Sequence, residues 1–199
     1  GHVLAMRLRE FSDAFEVVTA ARNNTYGNPD ISLDATDFND LSSALDSIKP
    51  DVCINAIGVL NRGADDLDVS QKLNTQLPLF LSDMGRKQGF RLMHISTDCV
   101  FSGSRGGYIE TDRPDATDNY GLTKIGGEGI DPKHLVIRTF HDHRSHDYSN
   151  ESFGSNRLDH GCRLHFILPH ELLLRHRSTA VGIGLLHSAH SDLEQIFSE

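Results

Sequence analysis

The chain has 199 residues, which is enough for one large domain or two small ones. Of these residues, 38% are hydrophobic and 24% are charged, a composition that excludes wholesale disorder. Its 19 basic and 28 acidic residues give a net charge of −9 without any cluster of four Lys or Arg, so we expect neither a nucleic-acid partner nor an anionic membrane partner. No apolar run reaches 18 residues, so the sequence predicts no transmembrane helix.

Strand and helix patterns alternate along the first 140 residues. Strand patterns cover 15–20, 29–33, 51–58, 91–97 and 134–140. Helical patterns cover 3–11, 37–48, 67–84 with an interruption or kink near Pro78, and 117–128. Strands that are apolar on both faces and alternate with amphipathic helices indicate an α/β fold, with a doubly wound parallel sheet covered on both sides. Such sheets bind ligands at the carboxyl ends of their strands.

Lys124 follows Tyr120 by four positions within the last predicted helix, which places both side chains on one helical face. A nearby ammonium favours the phenolate and lowers the pKa of a tyrosine. The pair is therefore a candidate general acid or base. The alternative is an ordinary solvated pair of side chains.

Two strand ends carry residues suited to a ligand crevice. Thr97 and Asp98 end the strand pattern 91–97, where a hydroxyl could polarise a substrate carbonyl. Ala56, Ile57 and Gly58 end the strand pattern 51–58, where small residues let a flat ligand approach the backbone. The alternatives are a polar turn at the first end and a tight turn at the second.

Taken together, these motifs resemble the extended, sugar-nucleotide branch of the short-chain dehydrogenase/reductase superfamily, above all the dTDP-4-dehydrorhamnose reductase family. The resemblance covers residues 1–140. The matching segments are L-D-A-T-D (33–37), P-D-V-C-I-N-A-I-G (50–58), H-I-S-T-D-C-V-F-S-G (94–103), G-Y-I-E-T-D-R-P (107–114) and Y-G-L-T-K-I-G-G-E (120–128).

The resemblance implies catalytic roles for residues at matching positions. Tyr120 would protonate the keto oxygen of the substrate, and Lys124 would lower the pKa of Tyr120 and hold the nicotinamide ribose. Thr97 would orient the carbonyl, and Asp98 would contact the substrate. The implied activity is NADP(H)-dependent reduction of a 4-keto-6-deoxy sugar nucleotide by a cytoplasmic enzyme, with a homodimer as one assembly. The alternatives are a non-catalytic NADP(H)-binding regulatory subunit and a sugar-nucleotide epimerase or dehydratase.

The resemblance also implies a binding site for the dinucleotide. Asp34 and Ala35 match the pair beside the adenine, Ala56, Ile57 and Gly58 match the segment that lines the cofactor, and Gly1 matches the last glycine of the phosphate loop. Arg22, with no acidic residue beside it, follows the strand pattern 15–20 and favours NADP(H) over NAD(H). A solvated surface arginine, compatible with NAD(H), is the alternative.

The N-terminus departs from the family pattern, because the first strand and two glycines of the phosphate loop are absent. That strand would lie between the strands at 15–20 and 51–58, so we expect both to have open edges. The sequence therefore predicts a doubly wound sheet that lacks its first strand and binds dinucleotide poorly, with impaired activity.

A second departure begins after residue 140. Nine of the 12 histidines lie in 141–199, whereas all five lysines lie before residue 140. We predict a partial NAD(P)-binding domain at 1–140 and an atypical, irregular His-rich tail at 141–199 in place of a substrate lobe. His141, His143 and His146 lack the Cys or carboxylate partners of a known ligand set, so no metal site is predicted. Back-translated and read in shifted frames, the tail can encode family-like segments, and one hypothesis is that it is out of frame.

The three cysteines, Cys53, Cys99 and Cys162, are widely spaced and form no C-x-x-C motif. The count and the spacings argue against a disulfide framework and a zinc ribbon. This cysteine usage is typical of a reducing compartment and agrees with a cytoplasmic location.

Overall fold

The computed structural model describes residues 1–11, 13–25, 27–59 and 67–139, and the backbone of 164–167 and 178–183. The helices are α1 (His2–Arg9), α2 (Phe38–Ile48), α3 (Leu67–Ser70), α4 (Leu77–Gln88) and α5 (Asn119–Gly127), with a π-helical segment (Gln71–Gln76) between α3 and α4. The strands are β1 (Phe15–Val18), β2 (Ala20–Ala21), β3 (Ile31–Ser32), β4 (Val52–Asn55), β5 (Arg91–Thr97), β6 (Leu135–Thr139), β7 (Leu164–Ile167) and β8 (Ser178–Ile183).

Within the described residues, six strands form one sheet in the order β1-β8-β4-β5-β6-β7, and β2 pairs with β3 in a second, two-stranded sheet. All of these pairings are parallel except that of β7, which runs antiparallel to β6. The predicted α/β fold with a doubly wound parallel sheet is confirmed. The carboxyl ends of β4 and β5 meet at one edge, since Asn55 pairs with His94 in the register of the two strands.

The central position of the sheet is filled by a strand from the C-terminal part of the chain. Ala180 of β8 pairs with Val17 of β1 on one side and with Val52 of β4 on the other. The expectation that β1 and β4 have open edges is therefore wrong, because β8 satisfies the backbone groups of both strands. Two segments of the tail, β7 and β8, are strands rather than irregular structure. The boundary near residue 140 stays a prediction.

Local signals account for the helices that cover the sheet. Asp37 caps α2 as predicted, because its carboxylate accepts hydrogen bonds from the backbone N–H groups of Asn39 and Asp40. The predicted interruption of the helix at 67–84 is present, but Pro78 is not its cause. Pro78 lies in the first turn of α4, where proline is tolerated, and the irregular part is the π-helical segment before it.

The core lies on both faces of the sheet, as successive side chains of β4 point to opposite sides. Val52 and Ile54 pack with Leu4 and Leu8 of α1. Cys53 packs on the other face, in a cluster with Leu45, Leu77, Leu81, Met84, Phe90, Leu92 and Ile130. Among the helices that the structure describes, none is both long and apolar enough to span a membrane.

Candidate active site

The carboxyl ends of β4 and β5 bring the predicted site residues together under helix α5. Ala56, Ile57 and Gly58 follow β4, while Thr97 ends β5 and Asp98 follows it. Thr97 is buried, whereas Asp98 and Gly58 are exposed at the edge of the sheet. The short sequence distance between each strand end and its polar residues is what places them at one edge.

Helix α5 starts against the turn that follows β5. Asp118 caps the helix by accepting a hydrogen bond of 2.9 Å from the backbone N–H of Gly121. A Cβ atom at Gly121 would lie 2.6 Å from the carbonyl oxygen of Cys99, so only glycine permits this approach. The close packing places Tyr120 near the end of β5, where Thr97 influences the pKa of its hydroxyl.

Burial raises the pKa of the Tyr120 hydroxyl, and the side chain of Thr97 only partly opposes this shift. The expectation that Lys124 gives Tyr120 a lowered pKa is therefore wrong. The reason is that burial penalises the phenolate more than the neighbouring groups stabilise it. A neutral Tyr120 is a proton donor, the state that carbonyl reduction requires.

Lys124 is a buried cation at the centre of this site, with 3% of the residue exposed. Its Nζ donates a hydrogen bond of 2.8 Å to the carbonyl oxygen of Ile95 on β5. Burial lowers the pKa of Lys124 to about 8, against a smaller opposing effect of Glu128. No carboxylate of the described residues lies within 4.0 Å of this Nζ.

Gly58 lies beside Lys124. A Cβ atom at Gly58 would lie 4.0 Å from the Nζ of Lys124 and 4.0 Å from Oδ1 of Asn74, which is ordinary van der Waals contact. The predicted cofactor-lining segment thus runs past the ammonium of Lys124.

The buried side-chain amides of Asn74 and Asn55 bind the backbone of residues 57–59, and the sequence analysis missed both residues. Asn74, in the π-helical segment, accepts a hydrogen bond from Val59 N (2.9 Å) and donates to Val59 O (3.0 Å) and to Oγ1 of Thr123 (3.1 Å). Asn55 accepts a hydrogen bond of 3.1 Å from the N–H of Ile57. A polar residue at an apolar position of a helical pattern, as at Asn74, is the signal that could have found it.

The predicted adenine-side residues lie along the same edge but at the surface. Arg22 and Asp34 are exposed and follow β2 and β3, while Ala35 is half-buried and packs on the core. Hydrogen bonds from the backbone N–H and hydroxyl of Thr36 lower the pKa of Asp34, with a smaller contribution from the charge of Arg22. Gly1 caps α1, and its carbonyl oxygen accepts a hydrogen bond of 3.1 Å from Ala5.

The described residues form a largely parallel sheet with Thr97, Tyr120 and the buried Lys124 at its carboxyl edge, where sheets of this class bind ligands. Comparison with known families agrees: the model of the RmlD substrate binding domain matches residues 2–149. The chain belongs to this family.

Individual relatives point the same way. The chain is 33% identical over 114 residues to a dTDP-4-dehydrorhamnose reductase of Aggregatibacter actinomycetemcomitans, a match that covers 54% of this chain and 39% of the relative. The chain is also similar to a crystal structure of a hypothetical dTDP-4-dehydrorhamnose reductase from Sulfolobus tokodaii, with 31% sequence identity and a TM-score of 0.60. That match covers 65% of this chain and 49% of the other. The chain thus spans less than half the length of the curated relatives it matches.

More distant structures share the fold and contain nicotinamide dinucleotides. WbmG of Bordetella bronchiseptica in complex with NAD is 20% identical, with a TM-score of 0.55 and coverage of 67% of this chain and 47% of that one. The dTDP-4-dehydrorhamnose reductase of Bacillus anthracis in complex with NADP is 23% identical, with a TM-score of 0.52 and coverage of 62% and 53%. At these identities the likeness extends to the fold alone.

Proposed function

We propose that the chain carries the catalytic residues of an enzyme that uses NADP(H) to reduce a 4-keto-6-deoxy sugar nucleotide. The observation that carries this proposal is the buried Lys124, which follows Tyr120 by four positions on α5 and is hydrogen-bonded to β5, the strand that ends at Thr97. Burying an ammonium without a carboxylate partner is costly. Buried groups with strongly shifted pKa values cluster at functional sites.

Each residue has a distinct part in the proposed reaction. The bound nicotinamide supplies the hydride. Thr97 donates a hydrogen bond that orients the carbonyl, and Tyr120 donates the proton to the oxygen as negative charge develops there. Lys124 binds the ribose of the nicotinamide and stabilises the tyrosinate after proton transfer. Asp98, exposed beside Thr97, contacts the sugar.

For the cofactor we propose NADP(H), with NAD(H) as the alternative. Arg22 is the cation at the adenine end, and it can pair with the additional phosphate of NADP. Asp34 lies near Arg22 and would repel that phosphate, but it could accept hydrogen bonds from the ribose of NAD. The variant Arg22→Ala therefore distinguishes the two cofactors. It should weaken NADPH binding at least tenfold and leave NADH binding within twofold.

The test is an assay of NADPH oxidation with dTDP-4-keto-6-deoxy sugars, using the full product of the coding sequence that contains this chain. Tyr120→Phe should lower kcat by at least about 100-fold, because general acid catalysis contributes about 10²–10⁴. It should leave the Kd for NADPH within twofold. The control is Tyr108→Phe, which removes a hydroxyl hydrogen-bonded to Ser102 at the surface and should change neither quantity.

Two other results would replace the proposal. A changed sugar without net NADPH consumption would identify an epimerase or dehydratase. NADPH binding without any turnover, unaffected by Tyr120→Phe, would identify a regulatory subunit. We further propose a cytoplasmic location and a homodimer. We also propose a division of the chain near residue 140 between the dinucleotide-binding part and the tail.

A further inference from the structure

A buried ion pair lies directly behind the candidate active site. The guanidinium of Arg138, on β6, binds both carboxylate oxygens of Glu128 at the end of α5, with Nε to Oε1 at 2.9 Å and Nη2 to Oε2 at 2.7 Å. The two side chains are 11% and 10% exposed. Two parallel hydrogen bonds fix the relative orientation of the two groups as well as their distance.

The pair is joined to the strand that carries Thr97. Oε1 of Glu128 also accepts a hydrogen bond of 2.6 Å from the hydroxyl of Ser96, which is 3% exposed. The carbonyl oxygen of Ser96 in turn accepts a hydrogen bond of 3.2 Å from Thr139. Ser96 lies between Ile95, whose carbonyl oxygen accepts a hydrogen bond from Lys124, and Thr97, whose hydroxyl is hydrogen-bonded to Asp98 and to the backbone N–H of Cys99.

The same guanidinium also holds the loop of residues 101–115. Nη1 of Arg138 donates a hydrogen bond of 3.4 Å to the carbonyl oxygen of Glu110, and the guanidinium carbon lies 4.9 Å from the centre of the Phe101 ring. Phe101 stacks on Tyr108, with 4.4 Å between the ring centres. This loop connects Asp98, beside the end of β5, with the start of α5. One side chain thus contacts the end of α5 and the loop 101–115, and it is linked to Ser96 of β5 through Glu128.

A buried ion pair is a poor source of net stability, because desolvation of both charges offsets their attraction. Its advantage is geometric, since the fork of an arginine fits only one arrangement of its acceptors. We propose that Arg138 is a positioning residue for the reductase reaction, which holds the end of β5 and the loop 101–115 in place around the substrate carbonyl. This inference rests on the proposed function for its kinetic consequences, but its structural consequence can be measured separately.

Three variants test the role of Arg138. Arg138→Gln leaves Glu128 as an unpaired buried carboxylate, which endangers folding. The double variant Glu128→Gln/Arg138→Gln removes both charges and keeps two amides that can hydrogen-bond. Arg138→Lys keeps the charge without the fork. The matched control is Arg86→Gln, because Arg86 also pairs with a carboxylate (Asp83) but lies on α4, outside the loop, with 59% of its side chain exposed.

The kinetic readout separates positioning from cofactor binding. We expect the double variant to lower kcat at least tenfold and to raise KM for the keto sugar, while the Kd for NADPH stays within twofold. Arg138→Lys should recover part of the loss, and Arg86→Gln should retain kcat within twofold. A double variant that folds and keeps kcat within twofold would overturn the proposal.

Backbone hydrogen exchange gives a readout that needs no substrate. In the double variant, amides of residues 101–112 should exchange at least tenfold faster, while those of α4 stay unchanged. If the wild type reduces no keto sugar, the proposed function fails, and hydrogen exchange alone then decides whether Arg138 holds the loop. Unchanged exchange in residues 101–112 would contradict the inference. If the double variant does not fold, the same measurements on Arg138→Lys decide, with smaller expected changes in the same direction.

Discussion

The polar contacts of the two halves of the molecule differ in their exposure to solvent. Around β4, β5 and α5 they are buried, as in the Glu128–Arg138 pair, whose side chains are 10% and 11% exposed. Around α1, β1 and β3 they lie at the surface, as in the Arg9–Asp30 pair, whose side chains are 48% and 44% exposed. Buried groups hold each other in fixed positions, whereas exposed pairs are screened by water and salt.

This difference indicates where the protein is organised before any ligand binds. Thr97, Tyr120 and Lys124 lie in the buried half and have defined partners already. Arg22 and Asp34 lie in the exposed half, where we expect ligand contacts to set their positions. The proposed chemistry thus lies in the rigid half, and the proposed selection between dinucleotides in the solvated half.

The largest effect is expected from breaking the strand that joins the two halves. Ala180→Pro removes a backbone N–H in the middle of β8, which pairs with both β1 and β4. We expect a loss of about 3 kcal/mol or more in the free energy of unfolding, measured by urea denaturation. Ser178→Pro, at the first residue of β8, should cost much less. Equal, small losses in both variants would show that β8 does not occupy the centre of the sheet.

The next effect concerns the packing of α5 in the buried half. A Cβ atom at Gly127 would lie 2.1 Å from the backbone oxygen of Asn74, which cannot move without shifting the π-helical segment. We expect Gly127→Ala to lower the free energy of unfolding by about 1–3 kcal/mol and to reduce kcat. Gly129→Ala is the control, because its Cβ would lie 3.5 Å from the nearest atom. Thermal denaturation of both variants checks the difference, and a stable, active Gly127→Ala variant would refute the tight packing.

Replacement of the buried Lys124 is expected to increase the stability of the protein. The pKa of Lys124 is lowered from 10.5 to about 8, which corresponds to about 3 kcal/mol at roughly 1.4 kcal/mol per unit. Lys124→Met avoids that cost but removes a donor from Ile95, so we expect a net gain of about 1–3 kcal/mol at pH 7. Activity should be lost.

The gain in the free energy of unfolding from Lys124→Met should depend on pH. Below pH 8 both folded and unfolded chains carry the charged lysine, and the full burial cost opposes folding. Between pH 8 and 10.5 only the unfolded chain retains the proton, so the wild type gains stability as the pH rises. The advantage of Lys124→Met should therefore shrink over this range. Lys133→Met, at an exposed lysine, is the control, and equal pH profiles for both variants would contradict the burial of Lys124.

The smallest effect is expected in the exposed half. Arg9→Gln removes the ion pair with Asp30, but Asp30 keeps its hydrogen bonds from the backbone N–H and hydroxyl of Thr19. We expect a loss below about 1 kcal/mol that vanishes at high salt, because exposed pairs are worth little. Urea denaturation at low and high salt measures it. A loss as large as that for Gly127→Ala would remove the contrast between the halves.

Local patterns were sufficient to predict much of the fold and the candidate site. The cap at Asp37 and the apolar spacing of α2 depend on residues within a few positions, and so does the placement of Tyr120 and Lys124 on one helix face. Polar residues at strand ends indicated where the ligand crevice lies, because parallel strands end at one edge.

Contacts between distant parts of the chain were not predictable. The Glu128–Arg138 ion pair and the two hydrogen bonds between Asn74 and the backbone of Val59 depend on how strands and helices pack. No local spacing in the sequence encodes that packing. The position of β8 between β1 and β4 likewise depends on long-range pairing. The pKa of Tyr120 shifts opposite to expectation for the same reason, since its burial is set by the packing of α5 on β5.

The most direct test of the central claim follows a deuterium label from NADPH deuterated at the transferring position of the nicotinamide. The full product of the coding sequence is incubated with this cofactor and a dTDP-4-keto-6-deoxy sugar, and the product is analysed by mass spectrometry and NMR. The account predicts a reduced sugar with one deuterium at C4, formed with matching loss of NADPH and absent with Tyr120→Phe. A product without deuterium, or NADPH left unoxidised, would contradict the assignment of a reductase.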